Sequence, residues 1–561
     1  MKNKIHFLII TLVCFLLGWQ LLRPGHYTMH DDLQVMRVFQ MRQCLNDGQI
    51  PCRWAANMGF EYGQPLFNFY SAFPYYLGGL INLIGFSSIA TVKILFLLSL
   101  IVSGIFSYLL AQKYFSKTAA LVASVAYLTA PYHALDIFVR GALSESWALA
   151  LAPMLLYATV LLIEKSSLNR TLFLSFSIFA FLTTHNTSIL MWTPIIIIFT
   201  LIHLFKKVNM KVIKSLVSAV FLGVGLSAFF FFPVVFEKGL INTTALTTDY
   251  FQFQAHFTSL KQLFFNTQWG YGPSKFGVDD NLSYFVGVIH SLALLIFPFV
   301  LFRLLKKQKR KSALILTSFF ALSLFSVFMT HGKSVIIWES SPVFAFIQFP
   351  WRFLGLTIIG TSFLIGGIID SLKQKTQKII VYPILIALVA LNFSYFRFQY
   401  YFDWMRDSEK LSGHLYHEQI KAAIADYLPV TASKIPLSQA PELPIIISGD
   451  VGIHYADKRS NYFSTEIDVY SDSATIQFPI MYFPNWTVYR NSSAEPYPIS
   501  YDNELGLIQV DIPKGSNLLQ LWFENTPIRT ASNLISFVSI GVFVLLLSTG
   551  KIKESKKKKI K

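Results

Sequence analysis

The chain has 561 residues, 53% of them hydrophobic, 16% aromatic and only 14% charged, with a net charge of +17 and a mean hydropathy of +0.49. A soluble globule of this length needs far more charge to cover its surface, so the composition excludes one and indicates a polytopic membrane protein. Lys and Arg collect in short loops between apolar runs, which is a topology signal and speaks against nucleic acid as a partner.

Runs long enough to cross a hydrocarbon core of about 30 Å fall at 5–22, 88–112, 118–134, 146–163, 171–185, 188–205, 214–236, 284–304, 312–330, 351–370, 379–396 and 531–549. The first has the look of a signal peptide. It is long for one, however, and ends in Leu21-Leu22-Arg23-Pro24 without a small-x-small cleavage site, so it reads as a retained span. An even count of about twelve puts both termini on one face. Lys2, Lys4, Lys113, Lys117, Lys206, Lys207, Lys211, Lys214, the run Arg303 to Lys311, Lys373 to Lys378 and the tail Lys551 to Lys561 share that face. The positive-inside bias makes it the cytoplasm of a bacterial cell, with both termini inside.

The segments 23–87, 135–145, 186–187, 237–283, 331–350 and 397–530 then lie outside. This divides the chain into a multi-span domain, 1–396, with a large first external loop, an external β-rich domain, 397–530, and a final span with its basic tail, 531–561. In the first loop, Asp31 to Leu45 has a helical pattern and 73–86 is apolar but short, so helices lying in the membrane interface are expected. Cys14 lies in the first span. Cys44 and Cys52 share the external loop and are expected as free thiols, with one bridge between them the alternative. In the insert, Ile445 to Ser448, Phe463 to Tyr470, Ala474 to Phe483, Thr487 to Tyr489, Gly506 to Asp511 and Asn517 to Phe523 read as strands of an antiparallel sandwich, with Trp486 in its core.

Polar groups gather on the outer side. His30, Asp31 and Asp32 follow the first span; Asp136, Arg140 and Glu145 follow the third; His185 and Asn186 end the fifth; Arg352, in Gln348-Phe349-Pro350-Trp351-Arg352, opens the tenth. If 136–140 is helical, Asp136 and Arg140 share a face and can pair locally. Carboxylates, imidazoles and guanidiniums at helix ends on one side suit chemistry on a lipid phosphate. A carboxylate can take the proton of an attacking hydroxyl, and arginines can hold a departing phosphate. A divalent ion could use the same donors, with Asp31 and Glu145 the candidates, but no spacing is diagnostic. No P-loop, dinucleotide fingerprint or HExxH motif is present.

The succession His30-Asp31, Gly48-Gln49-Ile50-Pro51 with Arg53-Trp54, Tyr62-Gly63, Pro65-Leu66-Phe67-Asn68-Phe69-Tyr70, Arg140-Gly141 with Glu145, Thr184-His185-Asn186 and Gln348 to Leu354 resembles the bacterial membrane proteins labelled 6-pyruvoyl-tetrahydropterin synthase-related. The architecture is similar to GT-C glycosyltransferases, and the Tyr482-Phe483-Pro484-Asn485-Trp486 turn, closing span and basic tail resemble the YfhO-like members of that group. The resemblance implies transfer of a sugar from a polyprenyl-phosphate donor to an envelope glycan or glycolipid acceptor. Asp31 would then be the general base or a metal ligand, Asp32 an additional acid and Glu145 a second acidic partner. On physical grounds, Arg140 and Arg352 are the candidates to hold the donor phosphate, and His30, Arg53, Asp136, His185 and Asn186 are further candidates for substrate binding. The alternatives are a transporter or flippase of a lipid-linked precursor and a non-catalytic envelope-assembly protein.

Overall fold

The protein is described by a computed structural model over residues 2–205, 209–275, 277 and 280–559; Lys206, Lys207 and Lys561 of the charge pattern lie outside the described residues. In chain order the helices are α1 (Lys2–Leu17), α2 (Gln34–Asn46), α3 (Phe73–Leu83), α4 (Ser88–Ala111), α5 (Lys117–Thr129), α6 (Leu143–Glu164), α7 (Leu168–Leu182) and α8 (Asn186–Leu204). They continue with α9 (Met210–Phe236), α10 (Val288–Lys306), α11 (Arg310–Thr330), α12 (Leu354–Ser371), α13 (Gln374–Asn392), α14 (Gly413–Lys421) and α15 (Pro527–Lys559). Short turns of helix between these are given by residue range where they matter.

Among the described residues, nine helices are long and apolar enough to cross a bilayer: α4, α6, α8 to α13 and α15. The other three of the twelve expected spans are not straight full-length crossings. α1 and α7 are shorter apolar helices, and α5 continues through Pro131–Arg140 after a bend of 40°. The bend has a local cause. Pro131 forces Ala130 out of the helical region, to φ −58°, ψ 131°. The chain then re-enters helix and closes with a π-helical turn, Leu135–Arg140, where the sequence suggested an external loop. Gly141 ends that turn in the left-handed region at φ 64°, and a Cβ there would sit 2.3 Å from Met29 Sδ, so only glycine fits.

The first loop packs into the body of the protein. α2 buries Val35, Met36, Val38 and Met41 completely, and Cys44 and Cys52 form a disulfide, correcting the free-thiol expectation. Two thiols eight positions apart do not reveal in sequence that the chain between them doubles back.

The insert 397–530 forms one five-stranded antiparallel sheet in place of a two-sheet sandwich. β3 (Ile445–Ser448), β4 (Val451–Lys458), β5 (Tyr462–Met481), β6 (Trp486–Arg490) and β7 (Leu507–Phe523) follow β1 (His26–Tyr27) and β2 (Tyr401–Phe402), which pair separately. The runs read as four strands merge into two, because β5 and β7 pass through irregular registers between Val469 and Ser473 and between Gln477 and Met481 without ending. β4, polar and half exposed, was not anticipated.

The sheet is stitched to the first loop. Met481 N–H donates to Tyr62 O at 3.0 Å and Ala440 N–H to Phe60 O at 2.8 Å. Trp54, buried, packs edge-on to Trp486 at 5.7 Å and against Phe483 and Phe523. The loop, the segment after α13 and the sheet therefore share one core on the face where the polar clusters lie.

Candidate functional site

A cavity of about 450 Å³ opens on that face, lined by His30, Asp31, Arg37, Arg140, Glu145, His185, Asn186 and Arg352 among others. Seven of the ten residues nominated from sequence thus converge from four distant segments. Backbone pairing places the first pair: His30 N–H donates to Val139 O at 3.0 Å and Asp31 N–H to Arg140 O at 2.9 Å, fastening the exit of the first span to the π-helical turn.

Asp31 is clamped on one oxygen. Arg37 Nη1 donates to its Oδ2 at 2.7 Å and Gln34 Nε2 to the same atom at 2.8 Å, while the side chain remains 35% exposed toward the cavity. Oδ1 stays outside this clamp. Arg37 is itself buried, with its guanidinium 4.4 Å from the Tyr70 ring.

Opposite lies a buried ionic corner. Glu145 accepts from Tyr132 Oη at 2.5 Å and from Arg140 Nη1 at 2.9 Å, and Arg352 Nε lies 3.3 Å from it. Arg140 also donates to Asp136, which is fully buried behind it. Two carboxylates so balance two guanidiniums, the arrangement that burial of four charges demands. The guanidiniums stay at the cavity edge, Arg140 beside the Trp351 ring at 4.4 Å and Arg352 beside Phe349 at 4.9 Å. Arg352 Nη1 is fixed by Ile347 O at 2.7 Å and Gln348 Oε1 at 3.0 Å.

His185 bonds Ser188 Oγ at 2.8 Å through Nδ1 and lies in the cavity wall. Asn186 Nδ2 donates to Phe69 O at 2.8 Å, holding the first loop against the start of α8. His30 reaches across the mouth to Tyr271 O at 2.8 Å.

Three nominated residues face elsewhere. Asp32 turns away to His26 Nε2 at 2.8 Å and Lys410 Nζ at 2.5 Å; burial opposes its ionisation, but these two partners outweigh it and hold its pKa below the usual carboxylate value. Asp136 is an internal counter-ion. Arg53 bonds Asn68 Oδ1 at 2.8 Å, Phe229 O at 3.0 Å and Asn533 Oδ1 at 2.7 Å, tying the first loop to α9 and α15. Nearby, Glu237 joins Asn68 and Arg529, each at 2.9 Å, so this is an anchor for the closing span.

With this geometry in view, comparison with known proteins places the chain. Residues 67–400, more than half of it, match the family described as 6-pyruvoyl-tetrahydropterin synthase related domain; membrane protein. The chain belongs to this family. The chain is also 22% identical, over 629 aligned positions covering 99% of it and 98% of the relative, to an uncharacterized protein of Lactococcus lactis subsp. cremoris (strain MG1363). Two cryo-EM structures of the arabinofuranosyltransferase AftD from Mycobacteria, one of a mutant, are similar at a TM-score of 0.44 with 14% and 11% identity. They match 72% and 71% of this chain, which spans only 27% and 28% of theirs.

The stretch matched to the 6-pyruvoyl-tetrahydropterin synthase related family supplies Arg140, Glu145, His185, Asn186 and Arg352. Part of the remaining wall comes from outside it. Asp31 and Arg37 precede the matched stretch, and Asp426 and Tyr427 follow it on a short turn, Ala425–Tyr427. Arg37, Tyr70, Asp426 and Tyr427 were not nominated from sequence. Asp426 is the most consequential of them: burial, with the nearby Asp31 charge, pushes its pKa up to about 6 despite the neighbouring Arg37.

Both oxygens of Glu145 are engaged by Tyr132 and the two arginines, and among the described residues no group of three or more His, Cys, Asp or Glu is placed to hold an ion.

Proposed function

We propose that the protein is a GT-C-type integral membrane glycosyltransferase, moving a sugar from a polyprenyl-phosphate donor to an envelope glycan or glycolipid acceptor on the extracytoplasmic face. The observation that carries this reading is the division of one cavity between a carboxylate with one uncommitted oxygen, Asp31, and two charge-balanced arginines, Arg140 and Arg352. Apolar side chains, Leu190, Leu246 and Phe346, continue the wall beyond the ionic corner and suit a prenyl tail beside the phosphate.

In the reaction, the acceptor hydroxyl gives its proton to Asp31 Oδ1 as its oxygen attacks the anomeric carbon. The bond from that carbon to the phosphate oxygen breaks, and its electron pair leaves with the lipid phosphate, whose charge meets Arg140 and Arg352. Arg37 and Gln34 hold Asp31 in the rotamer this needs, while Glu145 keeps both guanidiniums aimed at the cavity. Asp426, whose burial pushes its pKa up to about 6, lines the same cavity, accepts the proton onward and returns Asp31 to its ionised form.

A second reading, a carrier of lipid-linked precursors, draws on the bent span Lys117–Arg140, since interrupted helices commonly form transporter sites. The two separate cleanly. Envelope glycan analysis after deletion of the gene, with complementation by wild type or by Asp31→Asn, should show a missing sugar restored only by wild type. Restoration by both would remove acid-base transfer and leave the carrier.

A further inference from the structure

A second cavity, of about 890 Å³, lies at the opposite end of the helices, between α7, α9 and α15. Its shape follows from how α9 and α15 meet. They are pinned at small residues, where a Cβ on Gly225 would sit 2.3 Å from Ser539 Oγ and Ser536 Oγ donates to Gly225 O at 2.9 Å. Toward the end of the helices that bears Lys211 and Lys214 they part, and Phe221, Val542 and Leu546 face the opening.

The cavity is chemically two-ended. Lys211 and Lys214 stand at its rim with Ser166 and Ser215, whose hydroxyls bond each other at 2.6 Å. Among the described residues, no acidic side chain lines it. One α9 face carries the polarity change: Phe221 lies seven residues, about 10 Å, beyond Lys214. That is the step from a headgroup to the start of its acyl chains. On the positive-inside reading this rim lies at the inner leaflet.

We infer that this cavity is a binding site for an anionic phospholipid, its phosphate held between Lys211 and Lys214 and its acyl chains laid along Phe221, Val542 and Leu546. Two cations with no carboxylate among the described lining residues select negative charge, and the apolar groove between α9 and α15 gives the chains a bed that a free phosphate cannot use. The site is independent of the cavity on the opposite face.

The test uses the full-length protein in non-ionic detergent, titrated with phosphatidylglycerol or phosphatidylcholine and read by native mass spectrometry. Wild type should retain phosphatidylglycerol over phosphatidylcholine by about thirtyfold, roughly fivefold for each lysine near an anionic headgroup. Lys211→Gln with Lys214→Gln should abolish that preference; both lysines are exposed, so the fold does not depend on them. Ser218→Trp, which fills the cavity and leaves the lysines, should abolish retention, and excess inorganic phosphate should not displace the bound lipid. Equal retention of the two lipids, a preference surviving the double substitution, unchanged retention by Ser218→Trp or displacement by phosphate would each overturn the assignment.

Discussion

Replacing Glu145 by Gln keeps the shape of the ionic corner and removes one charge. In the wild type Glu145 and Asp136 balance Arg140 and Arg352, with Glu145 2.9 Å from Arg140 and 3.3 Å from Arg352. At such separations each pair attracts by about 5 kcal/mol at an effective dielectric near 20. Part of this is offset by the cost of burying the charges, and breaking a buried pair from one side typically costs about 3–5 kcal/mol because a bare ion remains. Arg352 would keep only the Ile347 carbonyl and the Gln348 amide oxygen. We expect Glu145→Gln to lose about 3–5 kcal/mol of stability in detergent, measured by chemical or thermal unfolding. Removing the surplus cation with it, in Glu145→Gln/Arg352→Gln, should recover about half of that loss or more, while transfer activity stays low. Wild-type unfolding of the single variant, or strictly additive effects in the pair, would refute a coupled ionic corner.

Three further outcomes follow from the same geometry. Asp32→Asn should retain near wild-type activity and lose about 1–3 kcal/mol of stability, since Asp32 serves His26 and Lys410 away from the cavity; unfolding curves and turnover measured together check this. Asp426→Asn should remove an acidic limb near pH 6 from the activity profile, because below that pH the wild-type carboxyl is protonated and cannot accept a proton. A carboxyl raised from 3.8 to about 6 on folding contributes stability fully present below pH 3.8 and lost progressively as pH rises to about 6, so the variant should gain relative stability across that interval and hold the gain above it. Trp54→Ala should cost about 3–5 kcal/mol and expose the β-sheet to limited proteolysis, as Trp54 fills the seam against Phe483, Trp486 and Phe523.

Much of the architecture was legible because a bilayer asks for long apolar runs, and each of the twelve runs became an apolar helix. What hydropathy alone does not specify is the interruption at Pro131 and the shortness of α1, whose run breaks at Gly18 into the turn Trp19–Leu22. The cavity was half legible. Arg140, Glu145, His185 and Arg352 stand out as charges beside apolar stretches. Arg37 does not, because α2 mixes Gln34, Arg37, Gln40 and Arg42 with its apolar residues and so resembles an ordinary surface helix. Asp426 sits in a segment with neither apolar periodicity nor a motif, and only the return of the chain after α13 brings it to Asp31. Asp31 and Asp32 looked equivalent in sequence, yet successive carboxylates at the turn into α2 diverge, one to the cavity and one to Lys410.

The most direct measurement is release of lipid phosphate from a labelled polyprenyl-phosphate sugar by the purified protein in the presence of an acceptor, comparing wild type with Asp31→Asn. A positioned base typically contributes about 10²- to 10⁴-fold, so the folded, membrane-inserted variant should turn over at least about a hundredfold more slowly. Equal rates in the two proteins would contradict a cavity organised around Asp31.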